Sequence, residues 1–210
     1  MRDIGRLLLV LGVVLLMWVA WLTMGVVTSS QSPRVTAVLY TGHGSGQAYS
    51  VVGPPTISAS FIDQVLTAYH SPAAGLGTVI EQQGIHYGID PVFALAFFQH
   101  ESSFGTTGEA RVTLSPGNER CIAGRPCIDQ DRGGYAQMRS WADGFDHWYR
   151  LILYGYVQGQ VTKPLVGHIC TTVAEIIPVY APSSDGNDEA GYIAAVEHAV
   201  DTWRHGQVWT

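Results

Sequence analysis

Glu101 is the residue whose setting most suggests chemistry. It closes the run Asp90-Pro91-Val92-Phe93-Ala94-Leu95-Ala96-Phe97-Phe98-Gln99-His100-Glu101, and a carboxyl group leaving an apolar segment is partly stripped of water. Desolvation disfavours the charged form and keeps the proton on near neutral pH. Cleavage of a glycosidic bond needs such an acid, because the departing oxygen must be protonated. The spacing leaves a second reading open, in which Glu101 satisfies a helix end or pairs with an arginine such as Arg132. Many glycosidases use two carboxylates. Glu109, Glu119, Asp129 and Asp131 lie in the stretch downstream where a partner would stand, and nothing in the sequence selects among them. A route through the substrate's own hydroxyl or N-acetyl group needs only one carboxylate.

The elements that must position this group are mainly helical. Phe61, Ile62, Val65, Leu66 and Tyr69 recur at helical spacing after Ser58 and Ser60, either of which can cap, and Ser71-Pro72 ends that helix. A second helix is expected from Gly75 to Gln83, stopping at Gly84. The third has Asp90 as N-cap and Pro91 at the first helical position. It is apolar on every side through Phe98, the pattern of a buried helix. Residues 106–139 lack helical periodicity and are expected to form an irregular or small β lobe. Ser140 caps an amphipathic helix reaching Tyr156, and Asp143 at its third position completes a weak capping box. Thr171 to Pro178 and Asp188 to His205 complete the set, the last with Tyr192, Val196, Val200 and Trp203 on one stripe and Gly206 beyond it. Val35–Tyr40 and Tyr49–Val52 have the composition of short strands.

Several phrases in this order carry a resemblance. Gly88 to Gly105, with Glu101-Ser102 at the helix exit, resembles the catalytic helix of the lysozyme-like superfamily, which includes lytic transglycosylases and endo-β-N-acetylglucosaminidases. Gly133-Gly134-Tyr135-Ala136-Gln137-Met138 is similar to the segment lining the transglycosylase cleft. Ser140-Trp141-Ala142-Asp143-Gly144-Phe145 and Val179-Tyr180-Ala181-Pro182 with Asp185-Gly186-Asn187 resemble the glucosaminidase branch. The resemblance spans residues 57–204. It implies a lysozyme-like helical domain at 56–206 that cleaves β-1,4 bonds of the peptidoglycan glycan strand, as a mannosyl-glycoprotein endo-β-N-acetylglucosaminidase-like enzyme. Glu101 would then be the acid, and Tyr180 would sit over the cleaved sugar. Ser102, Tyr135, Gln137, Trp141 and Asp185 would form the substrate-binding set. Within it, Ser102 has no His/Asp arrangement that would make it a nucleophile and reads as structural. Trp141 fits either sugar or core.

Cys121 and Cys127 bracket five residues and read as a local disulfide in an oxidising compartment. Cys170 is left over as a buried thiol. The scattered histidines offer no metal-ligand spacing, no cofactor motif is present, and His100 reads as packed or exposed, not as a base. Trp148, Trp203 and Phe97 read as core.

Leu7 to Val27 is 21 residues without a charge or histidine, and about 20 span a bilayer. With Arg2 and Arg6 before it, the expectation is an uncleaved signal anchor at 7–27. Residues 1–6 would be cytoplasmic, and 28–55 would be an extracytoplasmic linker rich in Ser, Gly, Thr and Pro. A cleaved signal is the alternative, although no clear cleavage site follows. Removing Arg2, Arg6 and Asp3 from 11 basic and 17 acidic residues leaves 9 and 16, a net of −7. No basic run remains to recognise nucleic acid. Two rival functions stand beside the enzyme: a non-catalytic glycan-binding module on the same fold, and an amidase or peptidase. The second lacks a Cys–His pair or clustered metal ligands.

Overall fold

The computed structural model describes residues 49–210, which fall in one compact unit, residues 43–210. The expected anchor at 7–27 and the strand at 35–40 lie outside the described residues. No helix among the described residues is long and apolar enough to cross a membrane.

The domain is mainly helical. The helices are α1 (Ala59–Ala68), α2 (Gly77–Tyr87), α3 (Pro91–Ser102), the short α4 (Ala110–Thr113), α5 (Trp141–Arg150), the short α6 (Thr162–Val166), α7 (Val173–Tyr180) and α8 (Glu189–Arg204). A π-helical turn, Leu151–Val157, prolongs α5. The irregular lobe holds two short antiparallel strands, β1 (Cys127–Ile128) and β2 (Tyr135–Ala136), with Cys127 opposite Ala136.

Helix α3 is the axis of the fold, and every residue from Pro91 to Phe98 is buried. Its side chains pack against α8, α2 and α5. Phe97 and Phe98 both lie 5.3 Å from the Trp148 ring, and Phe98 stacks on Phe145. A fully buried Phe side chain contributes about 1.5–3 kcal/mol of hydrophobic stabilisation, so this stack fixes where the helix exit falls. At the other end Asp90 is buried and caps Val92 N–H at 3.2 Å. It also accepts from the Thr56 hydroxyl at 2.6 Å and from Arg204 at 3.1 Å. That single carboxylate ties the start of α3 to the end of α8.

The main departures from the sequence expectation are at the C-terminal ends of three helices. Helix α2 does not stop at Gly84 but continues to Tyr87, and Gly88 takes the left-handed conformation at φ 67° as its C-cap. Gly84 is needed for contact instead of termination, because a Cβ there would meet Pro91 and the Ile89 carbonyl under 3.0 Å. The helix expected to run from Ser140 to Tyr156 is α-helical only to Arg150 and then widens to the π form. Helix α7 passes through Pro178 to Tyr180, with Thr172 and Glu175 forming its capping box. Residues 49–55, expected as linker, belong to the domain: Val51 is fully buried, and Ser50 and Val52 bridge to Thr172 and Ile89.

Candidate active site

Glu101 occupies the last turn of α3, one residue before the helix ends. Ser103 and Phe104 both turn left-handed, at φ 46° and 58°, and swing the chain away from the carboxyl group. The group opens on a cleft of about 530 Å³ between the irregular lobe, the π-helical turn and the end of α7. Glu101, Glu119, Tyr135, Tyr180 and Asp185 all line it.

The two carboxylate oxygens of Glu101 are held by different elements. Oε1 accepts from the Tyr192 hydroxyl at 2.6 Å. Oε2 accepts from Asn118 Nδ2 at 3.3 Å, and the same amide donates to the Glu101 carbonyl at 2.7 Å. That carbonyl is one of those a helix end leaves without an internal partner, so Asn118 caps the helix and steadies the acid at once. Asn118 sits at φ 49°, a left-handed conformation that asparagine tolerates better than most residues. Arg132 does not reach Glu101; it pairs with Glu109 at 2.7 Å and with Asp129 at 2.6 Å on the surface.

Burial pushes the Glu101 carboxyl up from its ordinary range, against the pull of the Tyr192 and Asn118 hydrogen bonds and the Arg120 charge. Burial wins because the carboxylate has lost water and gained two neutral donors, which replace hydration only in part. Burial, followed by the Glu101 charge, also holds the Tyr192 and Tyr180 hydroxyls well above their ordinary range, so both stay protonated and able to donate. The arrangement can present a proton to a group in the cleft and stabilise the carboxylate left behind.

The wall opposite is built on Gly117. Its carbonyl accepts the Tyr180 hydroxyl at 2.6 Å, and a Cβ at this position would meet Trp148 at 2.6 Å and the Tyr180 oxygen at 2.8 Å. The Tyr180 ring packs edge-on against Phe97, 5.3 Å between centroids. Tyr180 therefore lines the cleft with its ring while its hydroxyl is committed to the backbone. Tyr135 lines the cleft from β2, with the Arg120 guanidinium 4.9 Å over its ring.

Of the seven site residues that the resemblance implied, four, Glu101, Tyr135, Tyr180 and Asp185, meet at this cleft. Three do not. Ser102 is buried, donates to the Pro116 carbonyl at 2.9 Å and accepts from Gly105 N–H at 2.9 Å. It locks the turn after α3. Trp141 packs its ring over Gly105, where a Cβ would come within 2.3 Å of it. Gln137 is exposed and reaches the Val112 carbonyl at 3.4 Å. Among the four acidic residues of the lobe, Glu109 and Asp129 are engaged with Arg132, and Asp131 is exposed. Glu119 alone lines the cleft; its side chain is 6% exposed, His147 Nδ1 is 3.4 Å from Oε2, and Oε1 is buried with no hydrogen-bond partner among the described residues.

Sequence reasoning missed Tyr192 and Asn118. Tyr192 falls on the apolar stripe of α8 and reads as core, which its ring is: it stacks on His100 at 3.7 Å. Only its hydroxyl reaches the site. Asn118 lies in an aperiodic stretch where its partner is not legible. Cys121 and Cys127 form a disulfide, and Cys170 is a buried free thiol. Among the described residues no group of three or more His, Cys, Asp or Glu could hold a metal ion. Compared with known proteins, the chain matches no family model and no curated protein.

Proposed function

We propose that the chain is a peptidoglycan hydrolase with a lysozyme-like, glucosaminidase-like domain, cleaving β-1,4 glycosidic bonds of the glycan strand with Glu101 as general acid. One observation carries this reading: a carboxyl group held above its ordinary pKa range by burial, with each oxygen fixed by a neutral donor, opens on a cleft lined by tyrosines. A glycan strand offers hydroxyls for such polar walls and apolar pyranose faces for rings such as Tyr135. Glu101 protonates the leaving oxygen. Tyr192 and Asn118 orient it, and Tyr180 shapes the wall beside the cleaved sugar. The N-terminal segment at 7–27 anchors the domain outside the cell membrane, with peptidoglycan as its partner and no cofactor required.

The test is release of soluble glycan fragments when the chain is incubated with purified peptidoglycan. New N-acetylglucosamine reducing ends support the glucosaminidase assignment. Anhydro-muramic ends would move the protein to the transglycosylases using the same glutamate. Binding of intact glycan with no fragment from any wall type would replace the enzyme by the glycan-binding module.

A further inference from the structure

Among the described residues that line the cleft holding Glu101, Arg120 is the only cation. Its place is fixed from three sides. Arg120 and Tyr135 face each other across a backbone bridge, and beside them Ala136 N–H donates to the Glu119 carbonyl at 3.0 Å. This pairing sets the Arg120 guanidinium 4.9 Å over the Tyr135 ring. Nη1 donates to the Arg132 carbonyl at 3.4 Å. Gly133 leaves the space for it, since a Cβ there would meet Nη1 at 2.7 Å. A long side chain loses rotamer freedom when it grips a ligand, and here the ring and the carbonyl have already restricted it.

The charge so held is not used inside the domain. Arg125, Arg132, Arg139 and Arg204 each pair with a carboxylate. Arg120 is exposed and pairs with none among the described residues, although Glu101, Glu119 and Asp185 line the same cleft. With Nη1 committed, the edge formed by Nε and Nη2 stays open. Two parallel donors on one rigid edge match the two oxygens of a carboxylate.

We propose that Arg120 determines specificity for an anionic strand: its open edge takes a carboxylate carried by the lactyl-peptide substituents of the glycan, while the sugars occupy the cleft itself. The substrate class is then a glycan with acidic substituents, as opposed to a neutral one of the same β-1,4 linkage. Arg120 acts on binding and touches no reacting atom. The inference deepens the hydrolase reading and rests on it for the identity of the strand.

The test sediments the full chain in detergent with purified peptidoglycan in three forms: untreated, stripped of phosphate polymers by hydrofluoric acid, and with its carboxyl groups capped as methylamides. Fragment release is followed in the same samples. The native chain should bind the capped form about tenfold more weakly than the untreated one, the low end for a hydrogen bond to a charged group because the site is partly in water. Phosphate removal should change nothing. Arg120→Gln should bind all three forms alike, at the native chain's level for the capped form. Arg120→Lys, which keeps the charge without the two-donor edge, should fall between. The Arg120 charge also pulls the Glu101 carboxyl down, so its loss alters rates on every strand, and comparing strands removes that effect. Equal binding of untreated and capped strands by the native chain overturns the proposal. So does an equal loss on all three forms in Arg120→Gln, which would make the residue a support for Tyr135, and a loss confined to the phosphate-stripped form, which would make the ligand a phosphate. Discrimination without any fragment release would remove the hydrolase and leave this inference; release without discrimination would do the reverse.

Discussion

Replacing Tyr192 by Phe isolates one interaction. The ring stays, buried, stacked on His100 at 3.7 Å and tilted against Phe97 at 5.7 Å. Only the hydroxyl that donates to Glu101 Oε1 at 2.6 Å is lost. That bond favours the carboxylate over the acid, so its removal pushes the Glu101 carboxyl further up, in the direction burial already drives it. A hydrogen bond to a charged group is worth about 1.5–3 kcal/mol, which bounds the effect. Two readouts follow. The alkaline limb of kcat/KM on solubilised peptidoglycan, which reports the free enzyme's acid, moves to higher pH. Stability falls at pH values where Glu101 is ionised, because the buried carboxylate has lost its donor. For a domain of this size about 2–4 °C of Tm corresponds to 1 kcal/mol, so the drop is roughly 3–12 °C. Because the folded pKa of Glu101 is raised, its titration favours folding below the unfolded pKa and opposes it as pH rises through the folded value. The Phe variant therefore loses least in acid. A limb that stays in place, or moves to lower pH, would show that Glu101 is not the titrating acid.

Gly117→Ala drives a methyl group against Trp148 and the Tyr180 hydroxyl. Overpacking of this kind costs about 1–3 kcal/mol, and the substrate-dependent rate should fall more than stability does, read by kcat/KM beside a thermal melt. Asp143 accepts from Arg125 at 2.6 and 3.0 Å and from Arg139 at 3.0 Å, and these partners hold its carboxyl far below the usual carboxylate range. Asp143→Asn should lose about 2–3 kcal/mol at neutral pH. A depressed carboxylate contributes only above its unfolded pKa, so denaturant midpoints of the two proteins should converge as pH falls below about 4. Reducing the Cys121–Cys127 bridge should lower unfolding stability by about 2 kcal/mol through loop entropy, measured by urea titration with and without reductant.

The helices of the domain were legible because their signals are local. Asp90-Pro91 marks the start of α3 and the uniform apolar run marks its burial, and the helix begins at Pro91 with every residue to Phe98 buried. What was not legible depends on residues far apart in sequence. Gly84 reads as a stop, but its lack of a side chain serves the approach of Pro91. Trp141 fits sugar or core equally from its neighbours, and Gly105 beneath its ring decides for packing. Tyr192 obeys the core periodicity of α8, so no pattern separates its buried ring from the hydroxyl that reaches Glu101 across 91 positions. Of the acidic residues in the irregular lobe, only the fold distinguishes Glu119, which faces the cleft, from Glu109 and Asp129, which face Arg132.

The central claim is that Glu101 delivers the proton that breaks the glycan. Its most direct test is mass spectrometry of the soluble products released from purified peptidoglycan by the native chain and by Glu101→Gln, matched for folding by circular dichroism. Loss of a general acid costs about 10²–10⁴ in rate, so the account predicts fragments from the native chain and essentially none from the variant. Fragment release by Glu101→Gln at a rate near that of the native chain would contradict it.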